Sequence, residues 1–393
     1  MQRIFTEGLP RESLERCYNV PMTGMYIHLP FCAKKCHYCD FVISTSKTTD
    51  SKRSFLEAFE KEAKHHAPGL KNRIFETLYL GGGTPSVLNE NEITRVFEIL
   101  RHFFKFKKNA EITLEVNPGD VTPAKARLYR ELGANRISLG AQSFNDATLK
   151  RINRAHDAKA TLDSFRILKS AGFKNINLDL ILSLPLETLS EVERSLKVLL
   201  SLKPQHVSLY ELTVEEKTVF GRLNRQGKLK LPPEEAQLEM LTLARGTLKK
   251  NGFEHYELLN YAKPGFRSRH NLLYWANQEY LGLGPGAFSY LEGRRFRHSS
   301  SVEEYLKKSA KEDWSAFEEE TLTFEKKETE SFLLALRLTE GVPVKNFKKW
   351  IQKHKSEIYL LEEKGLLEIR VSRIKLTSQG QLFSETVFSE LSG

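Results

Sequence analysis

The chain has 393 residues, enough for two or three domains with real cores. Its 40% hydrophobic and 28% charged residues are a globular balance that excludes wholesale disorder, and no apolar run approaches the ~18 residues a membrane span needs. Sixty Lys and Arg against fifty Asp and Glu leave a charge of +10, which suggests an anionic partner without naming one. The N-terminal residues lack the apolar segment of a secretory signal, so a cytoplasmic location is expected. Four cysteines are too few for a disulfide scaffold, and Cys32, Cys36 and Cys39 fall within eight residues, a grouping that points to metal or redox chemistry.

In chain order, strands are predicted at 24–29, 77–80, 111–116, 136–139, 175–182 and 206–212. Helices are predicted between them at 52–66, 90–104, 123–132, 158–171 and 190–202. Six such units predict an α/β fold with a parallel sheet covered by helices. Periodicity fits an open doubly wound sheet and a barrel alike. Polar residues favour the barrel, because Gly81–Pro85, Glu115–Gly119, Gln142, Asp179 and Tyr210 sit at strand ends that would share one rim. Six units rather than eight make it a partial, TIM-like (β/α)6 barrel with an open side.

A helix is expected over 233–250. The aromatic- and glycine-rich stretch 255–290 reads as strand and loop, and 303–320 as a charged helical connector. From 323 the order is three helices, short strands at 366–371 and 373–376, and a helix, which is winged-helix-like. The expected division is an N-terminal segment 1–23, a core 24–215, an extension and connector 216–320, and a C-terminal α+β module 321–393.

Cys32-Ala-Lys-Lys-Cys36-His-Tyr-Cys39 places three thiols in a C-x3-C-x2-C loop directly after a strand. Iron–sulfur clusters are held by thiolates, usually four, so three leave one iron open or draw a fourth ligand from elsewhere. Structural zinc and unrelated buried thiols are the alternatives, although zinc sites favour paired C-x2-C elements and no second pair is present. Cys17 is a candidate fourth ligand, but reads better as a free cysteine.

The C-x3-C-x2-C loop with an aromatic before its last cysteine resembles the radical S-adenosylmethionine (SAM) superfamily. The longer string from Tyr26 to Phe41 resembles the oxygen-independent coproporphyrinogen oxidase branch, and within it the haem chaperone subgroup, HemW. The resemblance runs from about residue 26 to the C-terminus. It implies a [4Fe-4S] cluster on Cys32, Cys36 and Cys39, with the methionine moiety of SAM on the fourth iron. It implies that Gly82, Gly83 and Thr84 hold the methionine amino group, and that Glu115, Gln142, Arg154 and Asp179 are polar SAM contacts. Arg154 would suit the carboxylate. Tyr26 and Tyr38 resemble aromatic cofactor contacts, with plain packing as the alternative for each. No catalytic acid or base is assigned.

Two features bear on the branch. The decarboxylating oxidases carry a further cysteine in a C-x-C ending, whereas Cys39 is followed by Asp40-Phe41. That departure counts against oxidase activity on coproporphyrinogen III. His270-Asn271-Leu272-Leu273-Tyr274-Trp275 matches the HNxxYW string of the haem chaperone subgroup, which makes His270 a candidate haem contact, with a packed, hydrogen-bonded histidine as the alternative. The resemblance thus implies haem, haem-accepting proteins and an electron donor as partners, and leaves a homodimer open. The runner-up is a SAM-dependent coproporphyrinogen III oxidase. A third reading is a zinc-stabilised nucleic-acid-binding protein. The C-terminal module shows no concentrated basic face, so no nucleic-acid partner is expected. Gly282-Leu-Gly284-Pro-Gly286 is not a dinucleotide loop, since Pro285 interrupts it and no βαβ unit follows.

Overall fold

The computed structural model describes residues 22–46 and 48–392. Cys17 lies outside them. Strands β1 (Thr23–Leu29), β2 (Ile74–Gly82), β3 (Lys105–Val116), β4 (Arg136–Gln142), β5 (Ile176–Leu182) and β6 (His206–Glu211) pair in chain order, all parallel. Helices return the chain between them, and side chains fix their starts. Asn89 and Glu92 form a capping box on the Glu90–Phe103 helix, as do Thr188 and Glu191 on Leu189–Ser201.

The sheet extends beyond the six expected strands. β7 (Glu254–His255) and β8 (Asn260–Ala262) add antiparallel to the β6 edge. At the other edge β9 (Glu279–Leu283) pairs parallel to β1, followed by antiparallel β10 (Ser289–Leu291), β11 (Arg294–Arg297) and β12 (Glu318–Thr321). The order is β12-β11-β10-β9-β1-β2-β3-β4-β5-β6-β8-β7, and no pairing among the described residues closes it into a complete barrel.

Each central strand has one apolar face and one polar face. Met25, Ile27 and Leu29 of β1, Leu78 and Leu80 of β2, and Leu178 and Leu180 of β5 join Phe55, Phe59 and Val96 of the covering helices in the main core. The alternate residues are Tyr26 and His28, Thr77 and Tyr79, Glu111 and Glu115, Arg136 and Ser138, Asn177 and Asp179, and His206 and Ser208. Barrel interiors are ordinarily packed with branched apolar side chains. A lumen lined with carboxylates, hydroxyls and imidazoles is built to hold something polar.

Two expectations need correction. The stretch 255–290 is not all strand and loop: Arg269–Trp275 is a helix, started by Ser268, whose hydroxyl accepts from Asn271 N. The connector is helical only over Val302–Ala310, after which Glu318–Thr321 pairs with β11. Its run of glutamates reads as helix but meets Arg294 and Arg297 across the strands, at 2.7 Å in both cases.

The C-terminal part has its own core, in which Trp350 stacks on Phe332 at 3.9 Å. Short strands β13 (Val342–Pro343), β14 (Leu367–Ile369) and β15 (Arg373–Leu376) form a sheet of order β13-β15-β14, in keeping with the winged-helix-like expectation.

Candidate functional site

The cysteine loop is closed at its base by backbone bonds from Cys32 N to Ser44 O (2.9 Å) and from Ser44 N to Pro30 O (2.7 Å). Its outer side is tied down by His37 N to Ile152 O (3.2 Å), Phe220 N to His37 O (3.0 Å) and Asn153 Nδ2 to Lys35 O (2.8 Å). The three thiols are free and only partly covered. Burial pushes the Cys32 thiol up to about 11, against the opposing hydrogen bond with Thr84, and raises Cys39 as well. Loading a metal there therefore releases protons.

Beside the loop, Gly83 N donates to Leu29 O (2.9 Å) and Thr84 N to Phe31 O (2.7 Å), so the glycine turn is pinned to the chain that enters the cysteine loop. Gly82 has φ +93, a conformation L side chains rarely adopt. A Cβ on Gly81 would meet the Glu115 carboxyl carbon at 2.6 Å, so the missing side chain leaves room for the carboxylate. Glu115 accepts from Tyr79 OH at 2.7 Å. Asn117 links Thr84 Oγ1 (2.9 Å) to Arg154, whose guanidinium also reaches Gly140 O (2.8 Å) and lies 3.5 Å from Cys36 Sγ. Asp179 accepts from Asn177 Nδ2 (2.7 Å) and Ser138 Oγ (3.2 Å).

A cavity of about 610 Å³ opens over these groups. Cys32, Cys36, Cys39, Tyr38, Gly82, Gly83, Thr84, Glu115, Gln142, Arg154 and Asp179 all line it. Eleven positions chosen from sequence thus converge on one space. Gln142 sits at φ +63, and its buried Oε1 has no partner, as does Arg154 Nε. Such orphaned polar atoms at a cavity wall suit a polar ligand, since an unmatched buried group costs about 1–3 kcal/mol. Three thiols beside a polar cavity of this size fit an iron–sulfur cluster with a nucleoside-sized cofactor.

Two expected residues stand elsewhere. Tyr26 is not on the cavity wall, and its hydroxyl meets His28 Nδ1 at 3.1 Å. His270 is 1% exposed. Its Nδ1 lies 2.8 Å from Thr77 Oγ1 and its Nε2 2.9 Å from Tyr274 OH, while its ring stacks on Tyr79 at 5.2 Å. Burial pushes its imidazole down to about 3. Both nitrogens have hydrogen-bond partners here, so a haem contact through His270 would require Thr77 or Tyr274 to give one of them up.

Sequence reasoning placed Asn117 on the rim without a role and missed Tyr79. Asn117 stands in an Asn-Pro-Gly string that looks like a plain turn, and Tyr79 is one more aromatic in a strand.

Residues 26–199 match the model of the radical SAM superfamily, and residues 323–383 match that of the HemN C-terminal domain. The heme chaperone HemW of Bacillus subtilis is 36% identical over 385 residues, covering 95% of this chain and 100% of the relative. The chain belongs to the HemW family. A Lactococcus lactis HemW is 37% identical, covering 93% of this chain and 96% of that one. Among solved structures, the radical SAM coproporphyrinogen III oxidase HemN of Escherichia coli superposes with a TM-score of 0.84 over 98% of this chain and 94% of that one. At 22% identity that likeness shows the fold, with HemW-family sequence built on a HemN-like frame.

Glu115 supplies a test of the site's electrostatics. Burial raises its carboxyl to about 7 from 4.5, and Asp179 adds to the rise while Tyr79 opposes it. The folded chain therefore takes up a proton here between those two values. The stability tied to the neutral carboxyl is full below pH 4.5 and lost as pH rises through 7, about 3 kcal/mol in all. Glu115→Gln removes this titration. Its melting temperature relative to wild type should climb from pH 4.5 to about 7 and level off above that, and a constant difference across that range would show that Glu115 keeps an ordinary pKa.

Proposed function

We propose that this chain is a haem chaperone that binds a [4Fe-4S] cluster, SAM and haem, and passes haem to acceptor proteins. The observation that carries the reading is the convergence of the three cysteines and the polar strand-end residues on one cavity in a chain of the HemW family. Cys32, Cys36 and Cys39 would hold the cluster. When bound, cluster and SAM together supply one-electron radical chemistry. The turn at Gly82, Gly83 and Thr84 would receive an amino group, Arg154 offers a cation to a carboxylate, and Glu115, Gln142 and Asp179 offer hydrogen bonds to hydroxyls. Haem is assigned to the cavity mouth, where Phe41, 64% exposed, offers a ring face and Lys34 a cation for a propionate.

The same reading places the chain in the cytoplasm, served by an electron donor. It divides the chain into 1–23, a core 24–215, an extension and connector 216–320 and a C-terminal module 321–393. The C-terminal core around Phe332 and Trp350, to which Leu258 of the extension adds, supports the last boundary. Among the described residues no helix is long and apolar enough to cross a membrane.

The test is anaerobic. Cluster-loaded protein titrated with haem should saturate near one haem per chain. Incubated with coproporphyrinogen III, SAM and a reductant, it should give no decarboxylated product. Absence of haem binding sinks the chaperone reading, and appearance of protoporphyrinogen replaces it with the oxidase.

A further inference from the structure

Away from the cavity, two histidines and a glutamate meet. Glu62 and His66 lie four residues apart on the Thr49–His66 helix, so they share one face. His298 follows directly after β11. Its Nε2 lies 3.0 Å from His66 Nε2. One ligand atom from each of the three residues falls within 4.8 Å of the others. None of them lines the cysteine cavity.

Three features separate this cluster from casual packing. Two imidazole nitrogens point at each other, an arrangement that otherwise requires one ring to hold the proton for both. Each buried ligand also has an orienting partner. His298 Nδ1 faces Ser315 O at 3.4 Å, which leaves its Nε2 as the lone pair. Glu62 Oε2 is gripped by Tyr305 OH (2.7 Å) and Gly284 N (2.8 Å). Finally, a fully buried carboxylate with no cation nearby is costly. Burial holds the His66 imidazole neutral, down to about 3, so its ring is available as a ligand.

We propose that Glu62, His66 and His298 form a binding site for one divalent first-row transition ion of the Zn2+ class. Two imidazoles with a carboxylate favour such an ion over Mg2+ or Ca2+, which take all-oxygen shells. Two bonds of about 2.0–2.1 Å meeting at a tetrahedral angle put the nitrogens about 3.3 Å apart, close to the observed spacing. Haem iron is a poor fit, because imidazoles on opposite faces would stand about 4 Å apart at the same bond length. His66 is the one partly exposed member, and a fourth position open on that side would take water. The ion would clasp the end of the helix that follows the cysteine loop to β11 and to the Val302–Ala310 helix, which carries Tyr305.

The experiment uses the full-length chain with Cys17, Cys32, Cys36 and Cys39 all replaced by serine, so that no thiol competes for zinc. Calorimetric titration with Zn2+ should show one site per chain. His66→Ala and His298→Ala should each weaken it by more than the roughly 100-fold that loss of an outer partner brings. His65→Ala, an exposed neighbour whose ring centroid is 5.1 Å from that of His66, should leave it unchanged. Melting without metal checks the fold of each variant, and Zn2+ should raise the melting temperature of the parent but not of His66→Ala. If the cysteine-free parent fails to melt cooperatively, zinc retained after dialysis by cluster-loaded wild type against cluster-loaded His66→Ala decides. No zinc site, a site indifferent to His66→Ala, or one lost equally with His65→Ala overturns the proposal.

Discussion

Cys36→Ser should abolish the visible iron–sulfur absorbance of anaerobically reconstituted protein, with bound iron falling from about four per chain to a trace. The loop gives no substitute. Among the described residues the free cysteines are Cys32, Cys36 and Cys39, and all three line the same cavity. Backbone bonds to Ser44, Ile152 and Phe220 hold the loop's path. Those bonds belong to the backbone and survive the substitution, so the variant should melt within a few degrees of metal-free wild type. The Arg154 guanidinium, 3.5 Å from Cys36 Sγ, should keep a hydrogen bond to the serine oxygen. Cys17→Ser is the companion measurement and should retain full iron. Retention of iron by Cys36→Ser, or its loss in Cys17→Ser, would remove the three-cysteine site from consideration.

How much of this was legible in the sequence differs from one element to the next. The six parallel strands could be read because each has its own apolar run and a local partner, the next strand along the chain. The site could be read because strand ends recur at one rim, so residues as distant as Cys32 and Asp179 are brought together by a repeating unit rather than by a long-range accident. β9 was hidden, because its place beside β1 is a pairing over some 250 residues that no local pattern announces. His270 is ambiguous for a different reason. A histidine among aromatics looks the same as a ligand and as a strut, and the sequence does not show that Thr77 and Tyr274 stand one on each ring nitrogen. Glu62, His66 and His298 are the extreme case, since the two histidines are 232 positions apart and no motif joins them.

The glycine turn carries the second large effect. Gly83→Ala should cost about 2–4 kcal/mol and lower the amount of cluster the protein holds. A Cβ at this position would meet Leu29 O at 2.6 Å and Phe31 O at 2.8 Å. Both are backbone atoms at the entrance to the cysteine loop, so neither can swing aside as a side chain could. Relief requires the turn to move away from β1, which stretches the bonds from Gly83 N to Leu29 O and from Thr84 N to Phe31 O. Thr84 Oγ1, now 3.5 Å from Cys32 Sγ, would move with it. The defect is therefore local to the thiols as well as destabilising. Gly119→Ala separates the two effects. Its Cβ would meet nothing within 4 Å, but its φ of +90 imposes a strain of about 1–2 kcal/mol. Both variants should lose melting temperature, and only Gly83→Ala should also lose iron. Equal iron content in the two would mean that the contact with Leu29 and Phe31 does not position the cysteine loop.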